Sequence, residues 1–241
     1  MTCFAPSPRP STSIWGAVQQ ADQLGPGIWS VMTASYGGII LSDQRQAAMP
    51  PALQIEGGSY EEDCDWALPI LAFASELERQ RSCSAGFLQL ARDTARCWHP
   101  DRLSAFTGEA VEENASAILR TRKAYMAAIG EFCVTSAWGD WAEWVPEGKV
   151  GVIARQVERV DHLGRPNYGE AEVCALIAKD LYAARGEVTA LRDTAHEIIP
   201  MPDALLPKRV GCRAGRRPPG SGQASVRRSG GKGEGKGEPV R

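Results

Sequence analysis

The chain has 241 residues, of which 43% are hydrophobic and seven are tryptophan, enough to bury one sizeable core but short for two. Its formal charge of −2 conceals two unlike regions: ten Lys and Arg against two Glu give +8 between Lys208 and Arg241, which leaves −10 on residues 1–207. No run approaches the roughly eighteen apolar residues of a bilayer span, and seven cysteines without a CxxC pair suggest neither a disulfide framework nor a zinc ribbon.

The opening MTCFAPSPRPSTS lacks the basic start and apolar stretch of a secretory leader, so a cytoplasmic protein without a membrane partner is expected. Residues 1–13 are rich in Pro and Ser and are expected to be disordered, followed by a single α+β domain over 14–206 and a basic disordered tail over 207–241. GIWSVMTAS and IILS, flanking Tyr36-Gly37-Gly38, read as a β-hairpin over 27–42. Ser42 is placed to cap a short helix that must end near Met49, because Pro50 and Pro51 withhold backbone donors. Ser59 followed by Glu62 fits a capping box, so Glu61, Glu62, Asp63 and Asp65 are expected in the first turn of a helix, facing its positive end. Pro69 then predicts a kink or a fresh start, with Ile70, Leu71 and Phe73 entering the core.

A helix is predicted over about 76–97, stopping at CWHP because the residue before proline is pushed out of the α region. Another runs from Gly108 through EAVEENASAILRTRKAYMAAIGEF. Strands 132–138 and 149–157 are expected to join the hairpin 27–42 in one small antiparallel sheet packed with several helices. The Ala- and Glu-rich segment 169–185 reads as a last helix closed by Gly186.

Three constellations could carry chemistry. Consecutive helical residues splay about 100° apart, so the four acids of EEDCD cannot all face one ion, and helix capping accounts for them better than a metal does. CWHPD offers Cys97, His99 and Asp101, but without a second Cys/His pair the plain reading is a helix end with His99 satisfied locally. AWGDWAEWVPEG spaces Trp138, Trp141 and Trp144 every third residue beside Asp140, which suits core packing near a turn or an exposed aromatic patch for a partner. Arg213, Arg216, Arg217, Arg227 and Arg228 in the tail could meet phosphate backbones without sequence preference. The tail's composition equally fits out-of-frame translation of GC-rich DNA. Nucleotide-binding loops, a nucleophile elbow, HExxH and internal repeats are all missing from the sequence, which disfavours the common nucleotide enzymes.

The blocks GIWSVMTASYGGIILS with RQAAMP, YEEDCDWALPILAF, HPDRLSAFTGEAV and SAWGDWAEWVPEGKVGVIAR together resemble the domain-of-unknown-function family numbered 7007, of proteobacterial plasmids, integrative elements and phages. The resemblance covers about residues 14–157; after Arg155 the chain departs from the family's pattern, which continues into a strand. It implies a compact α+β fold and a mobile-element setting, and no reaction.

The expected function is a non-enzymatic protein-binding factor, with a host or element protein as partner, interference with a defence nuclease as a special case, and no metal or cofactor. Two rivals stand beside it. One is a hydrolase in which Glu62, Asp65 and His99 converge in a cleft. The other is a nucleic-acid accessory protein acting through the tail.

Overall fold

Two four-stranded antiparallel sheets, each with its own apolar cluster, organise the chain. The computed structural model describes residues 4–206; the basic tail, with its candidate arginines, lies outside the described residues. The α+β class is as expected. The single sheet is not, because the hairpin and the later strands pair separately.

After a short ribbon of β1 (Thr12–Ser13) and β2 (Gly16–Ala17), the first sheet orders β3 (Gln20–Gly25), β4 (Ile28–Met32), β5 (Gly37–Leu41) and β6 (Ser59–Glu61). The predicted hairpin is β4–β5, with Ile28 opposite Leu41 and Met32 opposite Gly37. Its turn falls one step earlier than Gly37-Gly38: Thr33 Oγ1 donates to Tyr36 O at 2.7 Å, and both glycines join the strand. Ser42 caps α1 (Asp43–Ala47) as predicted, its Oγ accepting from Arg45 N at 3.4 Å. Residues 4–13, expected to be disordered, are held by specific contacts. Phe4 packs edge-on against Phe73 at 5.8 Å, and Ser7 Oγ accepts from Trp29 Nε1 at 2.8 Å.

The capping box is overturned. Ser59 lies in β6 opposite Ile40, residues 62–66 form turns, and α2 (Ala67–Ala72) starts beyond all four acids. Pro69 falls inside the first turn of α2, where no intrahelical partner is lost. The break comes instead at Phe73, before α3 (Ala74–Arg79), and Ile70, Leu71 and Phe73 are buried as expected. The helix predicted over 76–97 is divided: α4 (Ala85–Trp98) begins afresh at Ser84, whose Oγ accepts from Phe87 N at 3.1 Å. It ends where His99-Pro100 requires, and α5 (Pro100–Thr107) follows at once. Of the helix predicted from Gly108, only α6 (Ala117–Ala127) is α-helical, capped by Ser116. These helices bury Leu68, Ile70, Leu77, Leu88, Ala91 and Leu103 against Ile28, Ile39 and Leu41 of the first sheet.

The second sheet orders β10 (His196–Ile199), β9 (Pro166–Ala178), β8 (Lys149–Val160) and β7 (Phe132–Trp138). Segment 169–185 is therefore mainly strand; only α7 (Lys179–Ala183) is helical. Cys174, Ala175, Leu176 and Ile177 are consecutively buried, the signature of a strand covered on both faces. Ladder partners on either side, β8 and β10, override the helix preference of its Ala and Glu residues.

Candidate functional site

The acidic turn and the helix break meet. Cys64 and Asp65 lie in the turn between β6 and α2, held by Trp66 N donating to Glu61 O at 2.9 Å and Leu68 N to Asp65 O at 2.9 Å. Trp66 stacks on Phe87 of α4 at 5.0 Å, tying the turn to the helix that delivers His99. His99 occupies the single non-helical position between α4 and α5: its N–H closes α4 on Ala95 O at 2.8 Å and its carbonyl opens α5 to Leu103 N at 2.9 Å. Pro100 enforces that break.

His99 Nε2 sits 3.1 Å from Asp65 Oδ1 with the imidazole side chain only 14% exposed. The contact is misaligned for a hydrogen bond, so this buried nitrogen has no hydrogen-bond partner although a carboxylate is at ion-pair distance. The expectation that His99 is satisfied locally is thus corrected. Cys64 Sγ lies 3.8 Å from the same carboxylate oxygen, and one donor atom from each of Cys64, Asp65 and His99 falls within 4.8 Å of the others. Burial, followed by the Asp65, Glu61 and Asp63 carboxylates, pushes the Cys64 thiol up to about 11. At neutral pH the group is a thiol, which argues against a free nucleophilic thiolate; a bound cation would invert that balance.

The three residues open into a cleft of about 540 Å³ whose other walls include Trp98, Arg102, Ile118, His162 and Arg165. His162 and Arg165 come from the β8–β9 turn, where Asp161 Oδ1 accepts from Leu163 N at 2.9 Å and Arg165 N at 2.8 Å. Gly164 adopts φ +78° and lies against the Arg122 backbone, where an added Cβ would meet Arg122 N at 3.0 Å. Only glycine combines that conformation with that approach. Asp101 is engaged elsewhere, accepting from Arg122 Nη2 at 2.6 Å and Nη1 at 3.2 Å.

Of the residues singled out from sequence, Asp65 and His99 converge and Glu62 does not; it is exposed, as is Asp63, while Glu61 belongs to β6. The divergence expected for the acids holds for three of the four. The fourth found its imidazole through tertiary packing. Cys97 stays out of the cluster. In the Trp segment, Trp138 and Trp144 pack edge-to-face at 5.6 Å and Trp144 covers Gly151 of β8, whereas Trp141 is 77% exposed. Asp140 ties the loop down, accepting from Lys179 Nζ at 3.3 Å and Gly148 N at 3.4 Å; the lysine first and the backbone N–H second hold its carboxyl below the usual range. Arg102 and Arg165 were not singled out from sequence; the tight turn VDHLGRP was the available signal for Arg165.

Fold and cleft together define an α+β protein with a Cys–Asp–His cluster at the junction of its helices and a β-hairpin turn. The chain belongs to the family of the domain of unknown function DUF7007, whose model matches residues 8–129. The block beginning at Ser136, included in the resemblance above, lies beyond that match. Comparison with curated proteins and with solved structures gave no match. Among the described residues no helix is long and apolar enough to cross a membrane.

Proposed function

We propose that the protein is a metal-dependent hydrolase whose cleft holds a divalent transition metal of the zinc class on Cys64, Asp65 and His99. The observation that carries this reading is the clustering of three chemically suitable donor atoms, one of them a buried imidazole nitrogen without a hydrogen-bond partner. Zinc bonded at its usual lengths separates tetrahedral ligand atoms by about 3.3 to 3.8 Å. The spacings of 3.1 Å and 3.8 Å from Asp65 Oδ1 fit that requirement with little adjustment. Three protein donors leave a position for water, the arrangement with which such metals supply a nucleophile near neutral pH. Equilibrium dialysis should give one zinc per chain, lost in Cys64→Ala and His99→Gln. Hydrolysis of activated esters should require the metal and stop with chelator. Failure of the wild-type chain to retain zinc would overturn the reading.

A second reading, protein binding, is favoured by one observation: a fully formed loop presents Trp141 almost bare while its neighbours Trp138 and Trp144 are packed. Exposed indoles of this kind anchor interfaces, and the partner would be a host or mobile-element protein, a defence nuclease among them. Recovery of a partner that Trp141→Ala loses would support it; an identical set of captured proteins from both chains would remove it. The nucleic-acid reading rests on charge in residues 207–241 alone, and is tested by the salt dependence of DNA binding before and after their deletion.

A further inference from the structure

We infer that the cleft takes a phosphate ester whose organic part is flat, an aryl or nucleoside phosphate; this deepens the metal-dependent reading above and rests on it. The lining of the cleft beyond the cluster includes two arginines. Arg165 lines it with its guanidinium in no hydrogen bond or ion pair among the described residues, because only its backbone engages the β8–β9 turn. Arg102 lines it too, using Nη1 to hold Ala52 O at 3.1 Å and Gln54 O at 3.0 Å, with no carboxylate partner. The one other acid of the cleft, Asp101, is already neutralised by the fork of Arg122. With Asp65 shared by the metal, the loaded cleft carries an excess of positive charge in a concave, partly enclosed setting, where guanidinium groups bind phosphate oxygens in preference to neutral groups.

The remaining surface selects the organic part. Trp98, 47% exposed at the end of α4, stands in the cleft with Ile55, Ile118 and Leu163. An indole face bordered by aliphatic side chains accepts a planar ring better than a flexible polar chain. Hydrolysis of such an ester transfers the phosphoryl group from the ester oxygen to water: one P–O bond forms as the other breaks, and the water's proton ends on the departing alcohol. Arg102 and Arg165 would hold the non-reacting phosphoryl oxygens; Trp98 would hold the ring.

Calorimetric titration with phenyl phosphate, inorganic phosphate and phenol, on the zinc-loaded and the metal-free chain, tests this. Phenyl phosphate is expected to bind tightest, and Arg165→Met to weaken it by about tenfold or more, as loss of a charge-assisted contact does. Trp98→Ala should weaken phenyl phosphate but leave inorganic phosphate unchanged. Arg165 is exposed, so its variant should melt with the parent; Arg102→Lys, which keeps the charge but loses the fork, gives an independent check. Zinc retained with no phosphate binding, or binding indifferent to both arginine variants, overturns this inference and spares the metal site. Phosphate binding that depends on Arg165 in a chain that never retains zinc keeps the anion preference and removes the metal reading.

Discussion

The two sheets treat charge in opposite ways. Beneath the first, Arg45 is wholly buried: its guanidinium donates to Glu76 Oε1 at 2.6 Å, to Glu76 Oε2 at 2.7 Å and to Pro26 O at 2.7 Å, with the rings of Phe4 and Phe73 on it at 3.6 Å and 4.6 Å. The second sheet keeps its ion pairs at the surface, as between Lys149 and Glu197 at 2.7 Å, and fills its interior with Val150, Val152, Ala175 and Ile177. A buried pair of this kind orients what surrounds it. It joins the β3–β4 turn, α1 and α3 into one frame, and the turn carrying Cys64 and Asp65 follows β6, the strand at the edge of the same sheet. The second sheet gains its stability from apolar burial and contributes only a hairpin turn to the cleft.

The comparison is most sharply broken at Arg45. Arg45→Met strands the Glu76 carboxylate and should cost about 3 to 5 kcal/mol in denaturant unfolding. The same pair makes the first half acid-sensitive. Arg45 holds the Glu76 carboxyl below its usual range, so its stabilisation is complete above the unfolded carboxyl's pKa and is lost as pH falls through the lower, folded one. Glu76→Gln should flatten that acid limb of the stability profile. If the acid limb survives unchanged, other carboxylates govern it.

Gly151→Ala probes the apolar half, because its Cβ would collide with the Trp144 ring. Overpacking there should cost about 1 to 3 kcal/mol and expose Trp144, seen as a red-shifted fluorescence. Zinc affinity should rise about tenfold for each unit of pH through neutrality, since the metal must displace the proton of a thiol held up at about 11. A pH-independent affinity would mean that Cys64 is not a ligand. The smallest effects belong to the surface of the second half: Glu197→Gln should cost less than about 1 kcal/mol and Trp141→Ala should lie within about 0.5 kcal/mol of the parent.

Legibility follows the range of the forces involved. The β4–β5 hairpin, though not the place of its turn, the Ser42 cap and the helix stop at His99-Pro100 are set by residues a few positions apart, and the sequence shows them. Segment 169–185 reads as a helix because its Ala and Glu residues favour one locally, whereas two flanking strands and a doubly covered face make most of it part of β9. Ser59 and Glu62 match a capping box in spacing, yet pairing with Ile40 claims Ser59 for the sheet. The meeting of Asp65 with His99 depends on Trp66 stacking against Phe87, a contact between distant segments that no local pattern announces. Asp65 and His99 are legible as residue types and their convergence is one of the rival readings of the sequence, but with Glu62 as the third member; no local pattern puts Cys64 in its place.

Cobalt(II) titration, followed by absorption, tests most directly whether Cys64, Asp65 and His99 form a metal centre. The account predicts a thiolate-to-cobalt charge-transfer band that saturates at one equivalent, disappears in Cys64→Ser and is displaced by zinc. A spectrum showing only hydrated cobalt, or a band undiminished in Cys64→Ser, would contradict it.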